Sequence, residues 1–361
     1  MKATLLLATC LLILNQAFQV PRPIVVSPDG KGDFRTIQAA IESVPMADSS
    51  GGERVILIKN GVYREKLFIQ KRHFLTLRGE SERGVQIVFT QARDLWRCEH
   101  PDDSGAATLN VTAHDLRFEK LTVINDYGFR ANADTTITCL NESGGNSSAP
   151  RTDRPTEGRP TLPRETGETP GTKRVRKDGH QFAFRSFPGA TRLVFKNCTF
   201  RALGGDTVSP WDVNGGLYYF KNCTMEGGVD FYCPRGWAWA ENCRFICHNK
   251  NAAIWHDGSG AESSRTVLKN CTFEGNDGFK LGRFHRDAQF YLIGCRFPKN
   301  MADADIYWVE GSPAPPKWGR RVYYHNCHRN GGDYAWHRDN LPISAKDVTV
   351  SWAFEGRWLP R

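Results

Sequence analysis

The sequence predicts an all-β fold, a parallel β-helix built from stacked coils, and three observations predict it. A phrase recurs: Phe195-Lys196-Asn197-Cys198-Thr199-Phe200, Phe220-Lys221-Asn222-Cys223-Thr224-Met225, Glu241-Asn242-Cys243-Arg244-Phe245, Lys269-Asn270-Cys271-Thr272-Phe273, Gly294-Cys295-Arg296-Phe297 and His325-Asn326-Cys327. The cysteines lie 20 to 32 residues apart, a spacing in the range of solenoid coils. The phrase also has an internal parity break. Cys198 and Phe200 alternate onto one face of a strand, and the apolar run at Val194-Phe195 cannot share that strand in register. A left-handed bend at the asparagine, a residue that tolerates that conformation, turns both runs to one interior. Repetition then stacks Asn on Asn, Cys on Cys and Phe on Phe. A β-sandwich carrying unrelated Asn-Cys pairs is the competing architecture.

Taken in order, residues 1–19 read as a secretory signal: Lys2, an apolar Leu5–Leu14 and a polar cleavage region at Asn15-Gln16-Ala17. The run is too short to span a bilayer. The mature chain, 20–361, is therefore expected outside the cytoplasm, secreted or periplasmic, with no membrane partner. Ile24–Val26 reads as a strand. Ile37, Ala40, Ile41 and Val44 recur at helical spacing before Pro45, and a lone amphipathic helix ahead of a solenoid reads as its cap. Strands follow at 54–59, 67–70, 75–78, 86–90, 107–111 and 116–123. Residues 141–179, rich in Gly, Pro, Thr, Arg, Glu and Ser without apolar periodicity, read as a disordered insertion that could be deleted from Asn146 to Lys177. After the last coil, a tail with Trp336, Trp352 and Trp358 is expected to pack back on the solenoid.

The chain carries 11 cysteines and a net charge of +9. Six cysteines share one repeat position, which points to a buried row of thiols rather than a disulfide framework. The basic residues are dispersed and no nucleic-acid motif is present, so that partner is not expected. No zinc-type spacing appears, so neither a metal nor a cofactor is expected.

Two coils carry more than scaffold. Gly204-Gly205-Asp206 and Gly227-Gly228-Val229-Asp230 follow the first two phrases at similar distances, so stacking brings the two carboxylates together on one face. Neighbouring carboxylates do not both ionise cheaply, which sets up an acid and a nucleophile. Gln181 lies one coil earlier and could donate to a developing oxyanion. Arg283 comes from a later coil and could hold a carboxylate by its fork. Each residue also has a plainer reading: the aspartates as turn residues, Gln181 as a stacked interior amide, Arg283 as a surface ion pair, and His285 as a packing or solvated histidine.

Here the chain resembles the pectin methylesterase family, carbohydrate esterases on right-handed parallel β-helices. The likeness is carried by Val26-Ser27-Pro28-Asp29-Gly30 through Phe34-Arg35-Thr36-Ile37-Gln38-Ala39-Ala40-Ile41, by Asn60-Gly61-Val62-Tyr63-Arg64-Glu65, by Gln181 with Ala183 and Arg185, by Gly227-Gly228-Val229-Asp230-Phe231, and by Leu281-Gly282-Arg283. The resemblance makes 20–361 one pectinesterase-like domain, a monomer, acting on methyl-esterified polygalacturonate. It implies Asp230 as nucleophile, Asp206 as acid/base, Gln181 as oxyanion donor and Arg283 as the clamp on Asp230. Asp230 would then be the ionised carboxylate and Asp206 the protonated one. The family pattern is broken at Gly205, where a second glutamine is usual, and at Arg283-Phe284-His285, where a stacking tryptophan is lost. Trp211, Tyr232, Trp237 and Trp308 are candidates to replace that stacking, with Trp211, Tyr232 and His285 placed among the substrate-binding residues. Restoring glutamine at position 205 is expected to be harmless. A pectin hydrolase or lyase on the same fold, and a non-catalytic polysaccharide-binding protein, are the alternatives.

Overall fold

The computed structural model describes residues 22–46, 52–98, 100, 102–139, 171–256, 258–312 and 315–360. The expected signal at 1–19 lies outside them. The chain forms a right-handed parallel β-helix. A ten-stranded sheet and a nine-stranded sheet run the length of the coil. The third face is split into a four-stranded and a three-stranded sheet. Single bridges, Val208 to Tyr232 and Tyr232 to Ile254, carry the third face across the gap between them.

The corner between the two long sheets is made as the repeat predicts. Asn197, Asn222, Asn242, Asn270 and Asn326 all have φ between 50° and 53°. Gly294 takes the same turn in the coil that lacks the asparagine, with φ 64°. The asparagine amides stack as well, Asn222 Nδ2 donating to Asn197 Oδ1 at 3.1 Å and Asn242 Nδ2 to Asn222 Oδ1 at 3.4 Å. One residue later the thiols of Cys198, Cys223, Cys243, Cys271, Cys295 and Cys327 are free and buried. Five of them donate to a carbonyl of the preceding coil, as Cys198 does to Phe118 O at 3.3 Å and Cys327 to Leu292 O at 3.3 Å. Inside the coil, Phe118, Phe195 and Phe220 stack ring on ring with centroids 5.0 and 4.6 Å apart, an arrangement that adds to the area these side chains bury.

The amino-terminal helix is Ile37–Ser43, with Ile37, Ala40 and Ile41 buried against the first coil. Its N-terminus is held by Glu65, whose two carboxylate oxygens accept from Ile37 N and Gln38 N at 2.9 Å each. A carboxylate on the free amides of a helix N-terminus satisfies donors that have no partner in the helix. The two amino-terminal phrases of the sequence thus meet in space as a cap and its anchor. At the other end, Trp336 and His337 pack on Phe297. The tail also lays Trp352 edge-on to Tyr291 at 5.0 Å, against the outer face of the ten-stranded sheet.

The expected insertion lies outside the described residues as far as 170. Its last part is ordered: Gly171–Val175 pairs antiparallel with Thr135–Cys139. Lys177 N also donates to Asp134 Oδ1 at 2.9 Å. A disulfide, Cys98–Cys139, ties this hairpin to the short helix Arg93–Arg97. Neither cysteine belongs to the repeat, and nothing in their spacing of 41 residues marked them as partners.

Candidate active site

The site forms where the third face of the coil is interrupted. Asp206 and Asp230 stand two residues before Val208 and Tyr232, which pair across adjacent coils, so the carboxylates occupy the same place in neighbouring coils. Parallel strands are about 4.8 Å apart. Both residues have left-handed backbones, with φ 55° and 54°. That conformation is uncommon outside glycine and costs roughly 1–3 kcal/mol per residue. It is fixed here by backbone bonds from Asp206 N to Val229 O at 3.2 Å and from Asp230 N to Ala252 O at 2.7 Å. Both residues are buried, 6% and 5% exposed.

Arg283, two coils beyond, reaches back past the intervening coil to Asp230. Its Nε donates to Oδ1 at 2.9 Å and its Nη2 to Oδ2 at 2.6 Å, a bidentate fork. Burial pushes the Asp230 carboxyl up to about 6; the guanidinium pulls it down, and the charge of Asp206 pushes it up again. The guanidinium was expected to decide this balance, but desolvation outweighs it. At about 6 the carboxyl lies below neutral pH. Asp206 has two basic side chains beside it, the imidazole of His180 with Nε2 3.6 Å from Oδ1 and the guanidinium of Arg235 with Nη2 4.0 Å from Oδ2.

Gln181 is placed differently from expectation. It is fully buried. Its Nε2 donates to Lys177 O at 2.6 Å and its Oε1 accepts from Gly128 N at 3.1 Å. It lies directly beneath Gly204, where a Cβ would come within 2.8 Å of Nε2 and 1.8 Å of Gly179 O. Only glycine fits that close approach. Gln181 therefore braces the strand rather than facing the cleft. The residue that pairs with Gly205 across the coils is His180, whose side chain is 45% exposed. Gly205 itself has little room: a Cβ there would sit 2.8 Å from Val229 O, so the glutamine expected to be harmless at this position would displace backbone.

The aromatic candidates divide. Tyr232 is wholly inside the core and cannot line the cleft, whereas Trp211, 2% exposed, lies outside the apolar core. Trp211 is sandwiched instead, with the Arg235 guanidinium 3.6 Å and that of Arg185 4.4 Å from its ring. Trp237 is buried under the tail, with Arg357 3.9 Å over its ring. His285 is half-buried beside the site, its Nδ1 accepting from Trp255 Nε1 at 2.6 Å. Trp308 donates its Nε1 to His285 O at 3.1 Å. Trp255, Arg283 and Tyr307 are aligned across three coils, and sequence reasoning named only the middle one.

Beneath the cleft lies a basic floor that the sequence did not reveal. Arg93, Arg97 and Arg185 converge on Asp103 at 2.8, 3.5 and 3.3 Å. Burial opposes ionisation of that carboxyl, yet the three guanidiniums hold it well below the usual range. Arg185 and Arg235 both donate to Ser209 Oγ at 2.9 Å. Four buried guanidiniums under one face bias the field there toward anions. Among the described residues, no group of three or more His, Cys, Asp or Glu side chains is arranged to hold a metal ion.

A carboxylate clamped by arginine, a second carboxylate one coil away and an exposed imidazole beside it can attack, protonate and donate at a single carbonyl. Comparison with known proteins points the same way. The family model described as Pectinesterase matches residues 23–142. Probable pectinesterase 55 of Arabidopsis thaliana is 25% identical over 240 residues, which is 66% of this chain and 56% of that protein. Pectinesterase A of Dickeya chrysanthemi is 39% identical over 108 residues, 29% of this chain and 28% of that one. The chain thus spans about half the length of the first of these relatives and under a third of the second. A pectin methylesterase crystallised in complex with a hexasaccharide superposes with a TM-score of 0.63 at 20% identity, over 95% of this chain and 99% of that one. At that identity the likeness is one of fold.

Proposed function

We propose that this chain, a divergent relative of the pectinesterases, is a carboxylic ester hydrolase that removes methyl groups from methyl-esterified polygalacturonate. The observation that carries the reading is the placement of Asp206 and Asp230 at one register position in adjacent coils, with Arg283 forked onto Asp230. An ester needs a nucleophile and a proton source at one carbonyl, and this pair supplies both.

In the proposed reaction, the ionised Asp230 attacks the ester carbonyl carbon and the carbonyl electrons move onto oxygen. Collapse of that intermediate expels the methoxy group, which leaves as methanol with the proton of Asp206. The sugar is then held to Asp230 as an anhydride. Water gives a proton to Asp206 as it attacks, which releases the uronate and restores both carboxyls. Arg283 keeps Asp230 aimed and ionised through the first step. The buried arginine floor supports an anionic polymer as the substrate, as does the hexasaccharide bound by the structural relative. The reading treats the chain as a monomer and residues 1–19 as an export signal, which would deliver it to a polysaccharide outside the cytoplasm.

Product analysis tests the reaction class. Incubation with highly methylated pectin should release methanol and acid equivalents in equal amounts, without new reducing ends and without unsaturated uronates. New reducing ends would indicate a hydrolase, and absorbing unsaturated products a lyase.

A further inference from the structure

We propose that His180 is a catalytic residue of this site, donating a hydrogen bond from its imidazole to the oxygen that becomes negative when the ester carbonyl is attacked. The inference rests on the esterase reading above and names a group that the reading leaves open. An ester-cleaving site needs a donor where the oxyanion develops. The amide of Gln181 is buried, with its oxygen and one of its two N–H groups engaged, and position 205 has no side chain. Two strands meet here out of step: His180 pairs with Gly205 but Phe184 pairs with Val208. The earlier coil therefore holds one residue more between the two pairings, in the manner of a bulge. That extra residue turns Gln181 inward and His180 outward.

The imidazole then stands over the glycine. A Cβ on Gly205 would lie 3.6 Å from His180 Cδ2, so the ring fills the space beside the missing side chain. Its Nε2 is 3.6 Å from Asp206 Oδ1, close to the edge of hydrogen-bond reach and beside the proton source. Asp206 and Asp230 hold the same register position in adjacent coils, so the ring beside Asp206 is near both. The N–H stays on the ring throughout. It donates to the carbonyl oxygen as the Asp230 oxygen bonds to carbon, and is released when the C=O bond re-forms and methanol departs.

The test compares the full chain with H180A and H180Q on highly methylated pectin, with melting temperatures to confirm folding; His180 is exposed enough that truncation removes no core. Loss of an oxyanion donor costs about 100-fold or more in kcat. H180A should lose kcat on that scale with KM changed by less than about threefold, since the bond forms only in the transition state. H180Q, which keeps an N–H donor, should recover most of the rate. An H180A variant within about threefold of wild-type kcat, or an H180Q variant as slow as H180A, would overturn the assignment of His180 while leaving the esterase reading in place. A wild-type chain that releases no methanol would overturn the reading itself, and the assignment with it.

Discussion

Arg283 and Asp230 are joined by two parallel hydrogen bonds, 2.9 and 2.6 Å long, across an intervening coil. The pair sets the charge of the proposed nucleophile. Burial alone moves the carboxyl upward, and the guanidinium limits that rise, leaving it at about 6. R283K keeps a positive charge but loses the planar fork. With less opposition to desolvation, the Asp230 carboxyl should rise further. Attack needs the ionised form, so the acid limb of the methanol-release profile should move to higher pH in R283K, with kcat reduced on its plateau. A limb that stays in place would show that another group controls it.

The same shift has a consequence for stability. Asp230 binds its proton more tightly in the folded chain than in the unfolded one, so its contribution is favourable below about pH 4 and is lost as pH rises through about 6. At neutral pH a shift of this size corresponds to about 3 kcal/mol of cost. D230N carries no such pH-dependent cost. Denaturation of both proteins between pH 4 and 7 should show wild type gaining on D230N as pH falls, and a constant difference would refute the linkage.

Position 205 is where the fold resists the relatives' pattern. A Cβ there meets Val229 O at 2.8 Å and Val229 Cγ1 at 3.0 Å, and His180 already occupies the cleft side. G205Q should therefore lose about 1–3 kcal/mol of stability, in the range of overpacked sites, and should not raise activity. A G205Q variant as stable and at least as active as wild type would show that the backbone gives way easily.

The asparagine corner can be tested apart from the site. Asn222 has φ 53° and both accepts and donates in the amide row. N222A adds left-handed strain, which costs an L residue about 1–2 kcal/mol, and removes two amide contacts. N222G removes the contacts without the strain. Chemical denaturation should rank wild type above N222G and N222G above N222A; equal midpoints for all three would mean that the row is ornamental.

These contrasts show what the sequence made legible. The corner could be read because one short phrase repeats and its parity break demands a turn at the asparagine. Asp206, Asp230 and Arg283 could be named because each follows a recognisable phrase and stacking preserves their order. His180 could not, since one extra residue between His180 and Phe184 inverts which neighbour faces out, and an insertion of one residue leaves no mark in composition. Tyr232 is expected in the cleft but lies in the core, because aromatic type says nothing of direction, and on a strand held by single bridges alternation is a weak guide. The arginine floor was hidden for a different reason. Arg93 and Arg97 share one short helix close to Asp103, but Arg185 and Arg235 come from later coils, and only stacking gathers the four round Asp103, Ser209 and Trp211.

The central claim is that Asp230 forms a bond to the substrate, and the direct measurement is methanol release from highly methylated pectin by wild type and D230N at pH 7. D230N keeps the shape of the side chain and removes the attacking oxygen anion. Wild type should release methanol at a rate that scales with enzyme, and D230N should release it at least about 1,000-fold more slowly while still binding the polymer. D230N turning over at a near-normal rate would contradict the assignment.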